Sequence, residues 1–293
     1  MTIDESYAAC RAIAHRSGAN FSVGFRFLPR RKRQAVYAAY AFCRWADDIA
    51  DEPCEVAGGR SQVPGTDAVL ERLDAWQQEL QRCYSGSATH PITIALADAL
   101  RDFPIPKSAF LALIEGCRQD MVKTRYATFE ELLQYCELVA SSISDISLAI
   151  FGYRSDAAIG YGRKLSTALQ LTNVTRDVGD DLARDRIYIP QEDLRRFGVS
   201  ERDLIERSDN DRLRSLIEFQ IARAETFFRE AEPLLRELSF DARFPTLLMG
   251  GIYATVLAKL RKDPLVVIRK RLSLSRMQKL LVVGTRMLRP HFV

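Results

Sequence analysis

A stretch of the chain that runs from Tyr37 to Asp51 carries charged side chains at helical spacing among apolar residues. Tyr40, Arg44, Asp47 and Asp51 follow steps of four, three and four, so an α-helix places them on one face. Alanine, phenylalanine, isoleucine and tryptophan fill the neighbouring positions, as in a helix packed in a core. Placing two carboxylates on such a helix without a cation would be costly, which favours a bound cation.

A second stretch further along the chain repeats this arrangement. Asn173, Asp177 and Asp181 recur every four residues, and Gln170 lies about one turn earlier, so their oxygen atoms line one stripe of a helix. Leucine and valine residues between them carry the same helix into the core. The chain therefore contains two helices that each combine an apolar surface with a stripe of oxygen donors.

Hard oxygen ligands at this spacing suit Mg²⁺, which keeps several waters and binds through one or two carboxylates together with substrate phosphates. One such helix alone could be a surface acid cluster paired with arginine. Two of them in one chain favour a shared magnesium site. The predicted ligands are Asp47, Asp51, Asn173, Asp177 and Asp181.

The rest of the chain predicts helices and no sheet. Glycine (15 residues) and proline (11 residues) are sparse, and no stretch shows the sustained alternation of an amphipathic strand. The segment from Pro53 to Thr66 is a predicted loop, and 187–204 is a predicted turn-rich connection in which Ser200 is an N-cap. We expect one all-α domain over 1–293. Apolar residues recur at helical spacing over 30–51, 67–84, 91–102, 108–122, 128–151, 155–183, 210–237, 242–261 and 273–288.

Composition excludes several classes of protein. A net charge of +4 is too small to predict nucleic-acid binding, and no run of 18 apolar residues predicts a membrane span. The six cysteines form no CxxC pair and no zinc spacing, which favours reduced, buried thiols. The first residues show no signal peptide. We therefore expect a cytoplasmic protein.

The chemistry that suits two acidic helices around an apolar interior is the departure of diphosphate from a prenyl diphosphate. Magnesium ions between the helices would neutralise the leaving group, and Arg44, Arg176 and Arg186 can share that role. The allylic carbocation that remains needs a dry pocket with apolar and aromatic walls.

These motifs resemble those of the squalene/phytoene synthase family from about Phe21 to Leu280. They comprise Tyr40-Ala-Phe-Cys-Arg44 leading into Asp47-x-x-x-Asp51, Tyr135-Cys136 followed by Val139-Ala140, and Gln170-Leu-Thr-Asn173-x-x-Arg176-Asp177-Val-Gly-Asp-Asp181 running into Arg186-Ile-Tyr188-Ile-Pro190. The resemblance implies an isoprenoid-synthase helical bundle with a central cavity. It also implies a 1′-1 condensation, in which one prenyl diphosphate ionises at C1 and attacks the C2=C3 bond of another to form a cyclopropylcarbinyl diphosphate.

The same resemblance implies roles for individual residues. Tyr135 occupies the position of a catalytic tyrosine, with Tyr40 and Arg44 beside the diphosphate. Tyr253 corresponds to a tyrosine late in the chain that contacts substrate. Because it lies in an apolar run, core packing is the alternative explanation. The remaining residues expected to bind substrate are Gln170, Arg176, Arg186 and Tyr188.

The product stays open at the level of sequence. Our main interpretation is the joining of two farnesyl diphosphates to presqualene diphosphate or a squalene-type product, with hydroxysqualene synthase and phytoene synthase (a C20 substrate) as alternatives. The segment Asn20-Phe21 is similar to hydroxysqualene synthases, and the usual Gly-rich Val-Ala-Gly-x-x-Gly reads Val-Ala-Ser-Ser-Ile-Ser144 here. NADPH would be required only if the product is reduced. A remote alternative is a non-catalytic, metal-binding helical module.

The end of the chain is basic. From Lys259 to Arg289 there are ten lysines or arginines and a single acid, Asp263, interleaved with leucine and valine. Such a segment suits a solvated helix face, a diphosphate or an anionic lipid surface. The segment has two alternative roles: reversible association with the inner membrane surface, or a helix face that contacts solvent or a diphosphate. The oligomeric state cannot be predicted from these features.

Overall fold

Helices make up nearly all the regular structure of this computed structural model, which describes residues 2–16, 24–51, 54–55, 61–62, 66–288 and 291–292. The predicted all-α fold is therefore confirmed. Within the predicted loop Pro53–Thr66, the described residues form only two paired strands of two residues, β1 (Cys54–Glu55) and β2 (Ser61–Gln62). The segment Asn20-Phe21 lies outside the described residues.

The helices in chain order are α1 (Ile3–Arg16), α2 (Arg30–Asp51), α3 (Thr66–Tyr84), α4 (Pro91–Ala99), α5 (Lys107–Val122), α6 (Phe129–Cys136), α7 (Ser142–Phe151), α8 (Ala157–Arg176), α9 (Val178–Leu182), α10 (Gln191–Phe197), α11 (Glu201–Ile205), α12 (Asp211–Ala231), α13 (Leu234–Glu237), α14 (Phe240–Lys262), α15 (Val266–Arg269) and α16 (Arg276–Leu288). The first helix, α1, was not predicted; it packs on α2 and α4.

Five of these helices surround the centre of the molecule. Helix α2 packs against α5 and α7, α7 packs against α8, and α8 packs against α14. Their apolar faces join one continuous core, and α12 covers the outer side of α8. The arrangement leaves a cavity between the helices instead of a solid centre.

The segment that joins α6 to α7 is a π-helical turn, Glu137–Ser141. Here the sequence reads Leu-Val-Ala-Ser-Ser where the resembling family has glycines. The chain neither breaks nor needs a glycine, because one widened turn accommodates the extra residue. Helix α5 approaches this turn closely, since a Cβ on Gly116 would lie 2.4 Å from Val139 Cγ1.

The predicted helix over 155–183 is divided in two. Helix α8 ends at Arg176, Asp177 adopts φ −97° and ψ 11°, and α9 begins at Val178. Backbone bonds still cross the junction, because Asp177 N–H donates to the Asn173 carbonyl and Asp181 N–H donates to the Asp177 carbonyl. The junction changes where the side chains of the second acidic motif point, which helical spacing alone could not predict.

The turn-rich connection 187–204 holds the short helices α10 and α11. The predicted N-cap at Ser200 is confirmed: its side chain accepts from Asp203 N–H, and the Asp203 carboxylate accepts from Ser200 N–H. Helix α10 ends at Gly198 with φ +63°, a left-handed conformation that glycine adopts without strain.

The five cysteines whose side chains are described are buried and form no disulfide, as predicted; they are Cys10, Cys43, Cys83, Cys117 and Cys136. Among the described helices, each is too short or too polar to traverse a lipid bilayer.

Candidate active site

The central cavity has a volume of about 380 Å³ and walls from α2, α5, the α6–α7 segment, α8 and α14. Its charged and amide side chains come from three of these helices, and most other lining residues are apolar. On α2 the lining residues run from Val36 to Asp47, so the wall changes from apolar to acidic along one helix. The charged and amide residues are Arg44, Asp47, Asp120, Gln170 and Asn173, and hydroxyl groups come from Tyr40, Tyr135, Ser144, Ser147, Ser166, Thr246 and Tyr253.

The first acidic helix places its predicted residues at this cavity. Tyr40, Arg44 and Asp47 all line it, as their shared helix face requires. Arg44 also pairs with Asp48 at 2.5 Å, one turn along the helix. Cys117 Sγ lies 3.7 Å from Asp47 Oδ1. Asp51 is the last residue of α2, and its side chain lies outside the description.

The second acidic motif reaches the cavity through its first two members. Gln170 and Asn173 line the wall, and Asn173 Nδ2 donates to Gln170 Oε1 at 3.3 Å. Asn173 Oδ1 is buried and has no hydrogen-bond partner among the described residues. A buried amide oxygen without a donor favours a ligand that supplies one or a cation.

Asp177 does not line the cavity; arginines hold its carboxylate. Arg176 Nε donates to Asp177 Oδ1 at 2.6 Å, and Arg271 Nε donates to the same oxygen at 2.9 Å. Arg271 also approaches Asp180 at 3.7 Å. It reaches this position because α15 lies directly against α9, where a Cβ on Gly179 would be 2.8 Å from the Val267 carbonyl oxygen.

Asp181 occupies a small cleft beside the cavity, with Arg186 and Tyr188 among its lining residues. Burial, together with the nearby charge of Asp177, raises the pKa of Asp181 to about 7. At neutral pH this carboxyl is therefore only partly ionised. A bound cation would favour its ionised form.

Three tyrosines and one aspartate form a cluster next to the cavity. Tyr135 Oη donates to Asp120 Oδ2 at 2.8 Å, and Tyr188 Oη donates to Asp120 Oδ1 at 2.9 Å. The rings of Tyr126, Tyr135 and Tyr188 lie 5.3–5.7 Å apart between centroids. Burial first, and then the Asp120 charge, raises the pKa of Tyr135 well above its usual value, so the phenol keeps its proton.

Two further predicted residues connect these groups. Arg186 Nη2 donates to the Asp120 backbone carbonyl at 3.2 Å, which links the cleft of Asp181 to the tyrosine cluster. Tyr253, on α14, lines the cavity next to Asn173 and Arg176, and burial raises its pKa. The core-packing explanation of Tyr253 and the substrate-contacting one are both compatible with this position.

The oxygen atoms of the predicted metal ligands are of the kind that Mg²⁺ binds, but they do not form a complete coordination site by themselves. Asn173 Oδ1 lacks a partner, the Asp181 carboxyl would be ionised by a cation, and Asp47 faces the cavity. In the described part of the chain, no three His, Cys, Asp or Glu side chains lie close enough to form a metal site by themselves. Mg²⁺ binds in this way when substrate phosphates complete its coordination.

Sequence reasoning missed two side chains that take part in this geometry. Asp120 shares a stripe of α5 with Leu113 and Cys117, at steps of four and three, and this spacing could have identified it. Arg271 gave no such signal. It is one basic residue among several, and only the contact between α15 and α9 brings it to Asp177.

Comparison with known proteins gives a consistent result. The family model for squalene/phytoene synthase matches residues 14–278. The chain is 35% identical over 300 residues to a 15-cis-phytoene synthase of Synechococcus elongatus, which covers 98% of this chain and 94% of the relative. It is 36% identical over 280 residues to a phytoene synthase of Mycobacterium tuberculosis, which covers 94% of this chain and 89% of the relative.

Solved structures show the same helical fold. A dehydrosqualene synthase superimposes with a TM-score of 0.87 at 28% identity and covers 99% of this chain and 98% of its own. A squalene synthase from Alicyclobacillus acidocaldarius superimposes with a TM-score of 0.79 at 33% identity and covers 89% of this chain and 95% of its own.

Proposed function

The chain belongs to the squalene/phytoene synthase family and is a prenyl transferase of that type, and from this premise we propose that it joins two geranylgeranyl diphosphates head-to-head to form phytoene. The C20 substrate was the alternative in our sequence analysis. The relatives named phytoene synthase favour it over our main interpretation, the joining of two farnesyl diphosphates. The C15 reaction is the second candidate, supported by solved neighbours named dehydrosqualene and squalene synthase.

One observation of the site supports this reaction most directly. Oxygen donors from two separate helices, Asp47 on α2 and Asn173 on α8, face one cavity whose remaining wall is largely apolar. A prenyl diphosphate has the same division, with an anionic head and a long apolar tail. The cavity therefore suits a substrate that is ionised at one end and kept dry along its length.

We propose a division of roles among the polar residues of the site. Arg44 and Tyr40 bind the diphosphate, since both line the cavity on the same helix face as Asp47, one and two turns from it. Tyr135 donates its hydroxyl proton to Asp120, which fixes the orientation of the phenol at the cavity wall. The oxygen lone pairs of this neutral phenol can then stabilise a nearby developing positive charge.

We further propose that Mg²⁺ is held by Asp47, Asp51, Asn173, Asp177 and Asp181. When bound, it would neutralise the charge that develops on the leaving diphosphate. Arg271 and Arg176 pair with the Asp177 carboxylate and balance its charge. NADPH enters the proposal only for a product that is reduced.

Product analysis tests the reaction. The protein is incubated with Mg²⁺ and either geranylgeranyl or farnesyl diphosphate, and products are identified by mass spectrometry. We expect phytoene from the C20 substrate and slower turnover of the C15 substrate. Exclusive turnover of farnesyl diphosphate would replace the proposal with the C15 reaction, and release of diphosphate without any C–C coupled product from either substrate would refute condensation.

We also propose a cytoplasmic protein that associates reversibly with an anionic membrane surface through its basic C-terminal segment. Helix α16 supports this, because Met277, Leu280 and Leu281 are exposed on it beside Lys279. Co-sedimentation with anionic vesicles tests it. Binding that is lost in Leu280→Ser/Leu281→Ser would support α16 as the contact, and unchanged binding in that variant would exclude it.

A further inference from the structure

An exposed aromatic patch lies behind the apolar part of the cavity wall. Phe240 is 86% exposed, Phe27 is 49% exposed and Tyr153 is 39% exposed, and the ring of Phe244 packs edge-on against Phe27 at 4.9 Å. Large aromatic side chains are seldom this exposed without a partner. We name these four residues the aromatic patch.

Each member of the patch stands two residues from a residue that lines the cavity. The pairs, lining residue first, are Phe25 and Phe27, Phe151 and Tyr153, Leu238 and Phe240, and Thr246 and Phe244. The same three chain segments therefore form the cavity wall with one set of side chains and the outer surface with another.

Tertiary contacts fix these three segments to one another. Tyr153 and Leu238 form an antiparallel bridge, and Ser239 N–H donates to the Gly152 carbonyl at 3.1 Å. Lys32 Nζ donates to the Phe151 carbonyl at 2.7 Å and to Asp241 at 2.9 Å. The ring of Phe27 packs on Phe244, which lies one turn from Phe240 on α14, so contacts connect all three segments of the patch.

The charge around the patch is positive. The structure pairs none of Arg26, Arg154 and Arg236 with a carboxylate among the residues it describes, and Arg243 donates to the Leu238 carbonyl. Of the nearby acids Asp156, Glu237 and Asp241, the last is paired with Lys32. Exposed aromatic side chains on segments that also carry unpaired arginines match the interface of an anionic bilayer, where rings enter the headgroup layer and guanidinium groups bind phosphate.

We propose that the aromatic patch is a docking surface for an anionic lipid bilayer, through which the apolar part of the cavity communicates with the membrane. The docking follows from the patch alone. The role in releasing an oily product rests on the proposed function. The surface is separate from α16, because its members lie on the segments 25–27, 151–154 and 238–246.

Vesicle binding by matched variants tests the surface in the full chain. The vesicles contain phosphatidylcholine with phosphatidylglycerol. The variants are Phe27→Ser/Phe240→Ser and, as a control, Val122→Ser/Ile205→Ser, which also removes two exposed apolar side chains but lies outside both the patch and α16. We expect the first to lower the partition coefficient about tenfold or more, because two rings no longer enter the lipid, and the control to retain the larger part of binding. Circular dichroism verifies that each variant is folded.

A second readout does not depend on loss of binding. In Phe240→Trp, added anionic vesicles should shift the tryptophan emission to the blue, and a brominated lipid should quench it, whereas the wild-type tryptophans should respond less. The shift should weaken at high salt, because the arginine contribution is screened.

Three results would overturn the proposal: no wild-type binding to these vesicles, unchanged binding by the phenylalanine variant, or a wild-type oligomer that dissociates in that variant, which would identify a second copy of the chain as the occupant. Binding is measured without substrate, so a failure of the proposed condensation leaves the docking result intact. If the protein binds vesicles but forms no coupled product, the docking surface is supported and only its proposed role in product release is excluded.

Discussion

Asp120 connects three predicted site residues at the cavity, although its position in the sequence is inconspicuous. Its two carboxylate oxygens accept separately from Tyr135 and Tyr188, and its carbonyl accepts from Arg186. These bonds bring together the predicted catalytic residue Tyr135 and the predicted substrate-binding residues Tyr188 and Arg186. The motifs that contain them are far apart in the sequence. At the scale of single residues, the site depends on hydrogen bonds that connect the motifs.

The first prediction concerns the phenol of Tyr135. Tyr135→Phe should lower kcat by about ten- to a hundredfold, with little change in KM, because the ring is retained and only the hydroxyl that donates to Asp120 is lost. Steady-state kinetics of diphosphate release provides the measurement. Tyr126→Phe is the matched control, since Tyr126 belongs to the same ring cluster but does not line the cavity. Equal rates in wild type and Tyr135→Phe would assign Tyr135 to packing.

The second prediction concerns the carboxyl of Asp181. Because the folded protein holds this proton with a pKa of about 7 and the unfolded chain has an ordinary carboxyl, the stabilisation is complete at low pH and is lost as pH rises through about 7. In metal-free protein, the free energy of unfolding should therefore fall between acidic and neutral pH. Asp181→Asn should flatten this dependence.

Denaturant unfolding at a series of pH values measures how the free energy of unfolding depends on pH in wild type and in Asp181→Asn. The control is Asp180→Asn, which changes the exposed neighbour of Asp181. Its free energy of unfolding should depend on pH as that of the wild type does. A slope that is the same in wild type and in Asp181→Asn would show that Asp181 is not the group responsible.

At the scale of the elements, two glycines of α8 differ in whether their surroundings have room for a side chain. Gly162 lines the cavity, where an added Cβ would lie 2.5 Å from Ser144 Oγ and 2.7 Å from Leu148 Cδ1. Gly160, two residues earlier, has open space around the same position. The first glycine permits α7 and α8 to approach each other, and the second only weakens the helix.

The third prediction follows from this pair. Gly162→Ala should destabilise the protein by about 1–3 kcal/mol, because the side chains of Ser144 and Leu148 must leave their present rotamers or α7 must move away. Gly160→Ala should stabilise it by about 0.5–1 kcal/mol through helix propensity. Thermal unfolding monitored by circular dichroism measures both changes. If the two variants shifted stability in the same direction, the close packing of α7 on α8 would be contradicted.

At the scale of the whole molecule, the site exists only because two helices far apart in sequence face one cavity. The fourth prediction is that Asp47→Ala and Asp177→Ala each nearly abolish Mg²⁺-dependent turnover while the helical circular dichroism signal is retained, because each variant removes one side of a shared site. Diphosphate release with and without Mg²⁺ is the measurement. Asp180→Ala, which changes an exposed aspartate next to the motif, is the control. Full turnover in either of the first two variants would exclude the shared site.

By itself, the sequence determined the helical class, the two oxygen-lined stripes and the family. Helical spacing is a local property, so it placed Tyr40, Arg44 and Asp47 on one face of α2 correctly. Ser200 was likewise readable as an N-cap, because capping involves residues only three positions apart.

Only the tertiary structure decided which side chains meet. The junction at Asp177 directs Asn173 into the cavity and Asp177 toward Arg271, although regular spacing had placed both on one stripe. Asp120 joins Tyr135 and Tyr188 across 15 and 68 residues of sequence, and the aromatic patch collects Phe27, Tyr153 and Phe240 from three segments. Such contacts are set by how helices pack, and packing depends on shape complementarity over the whole core instead of on any local pattern.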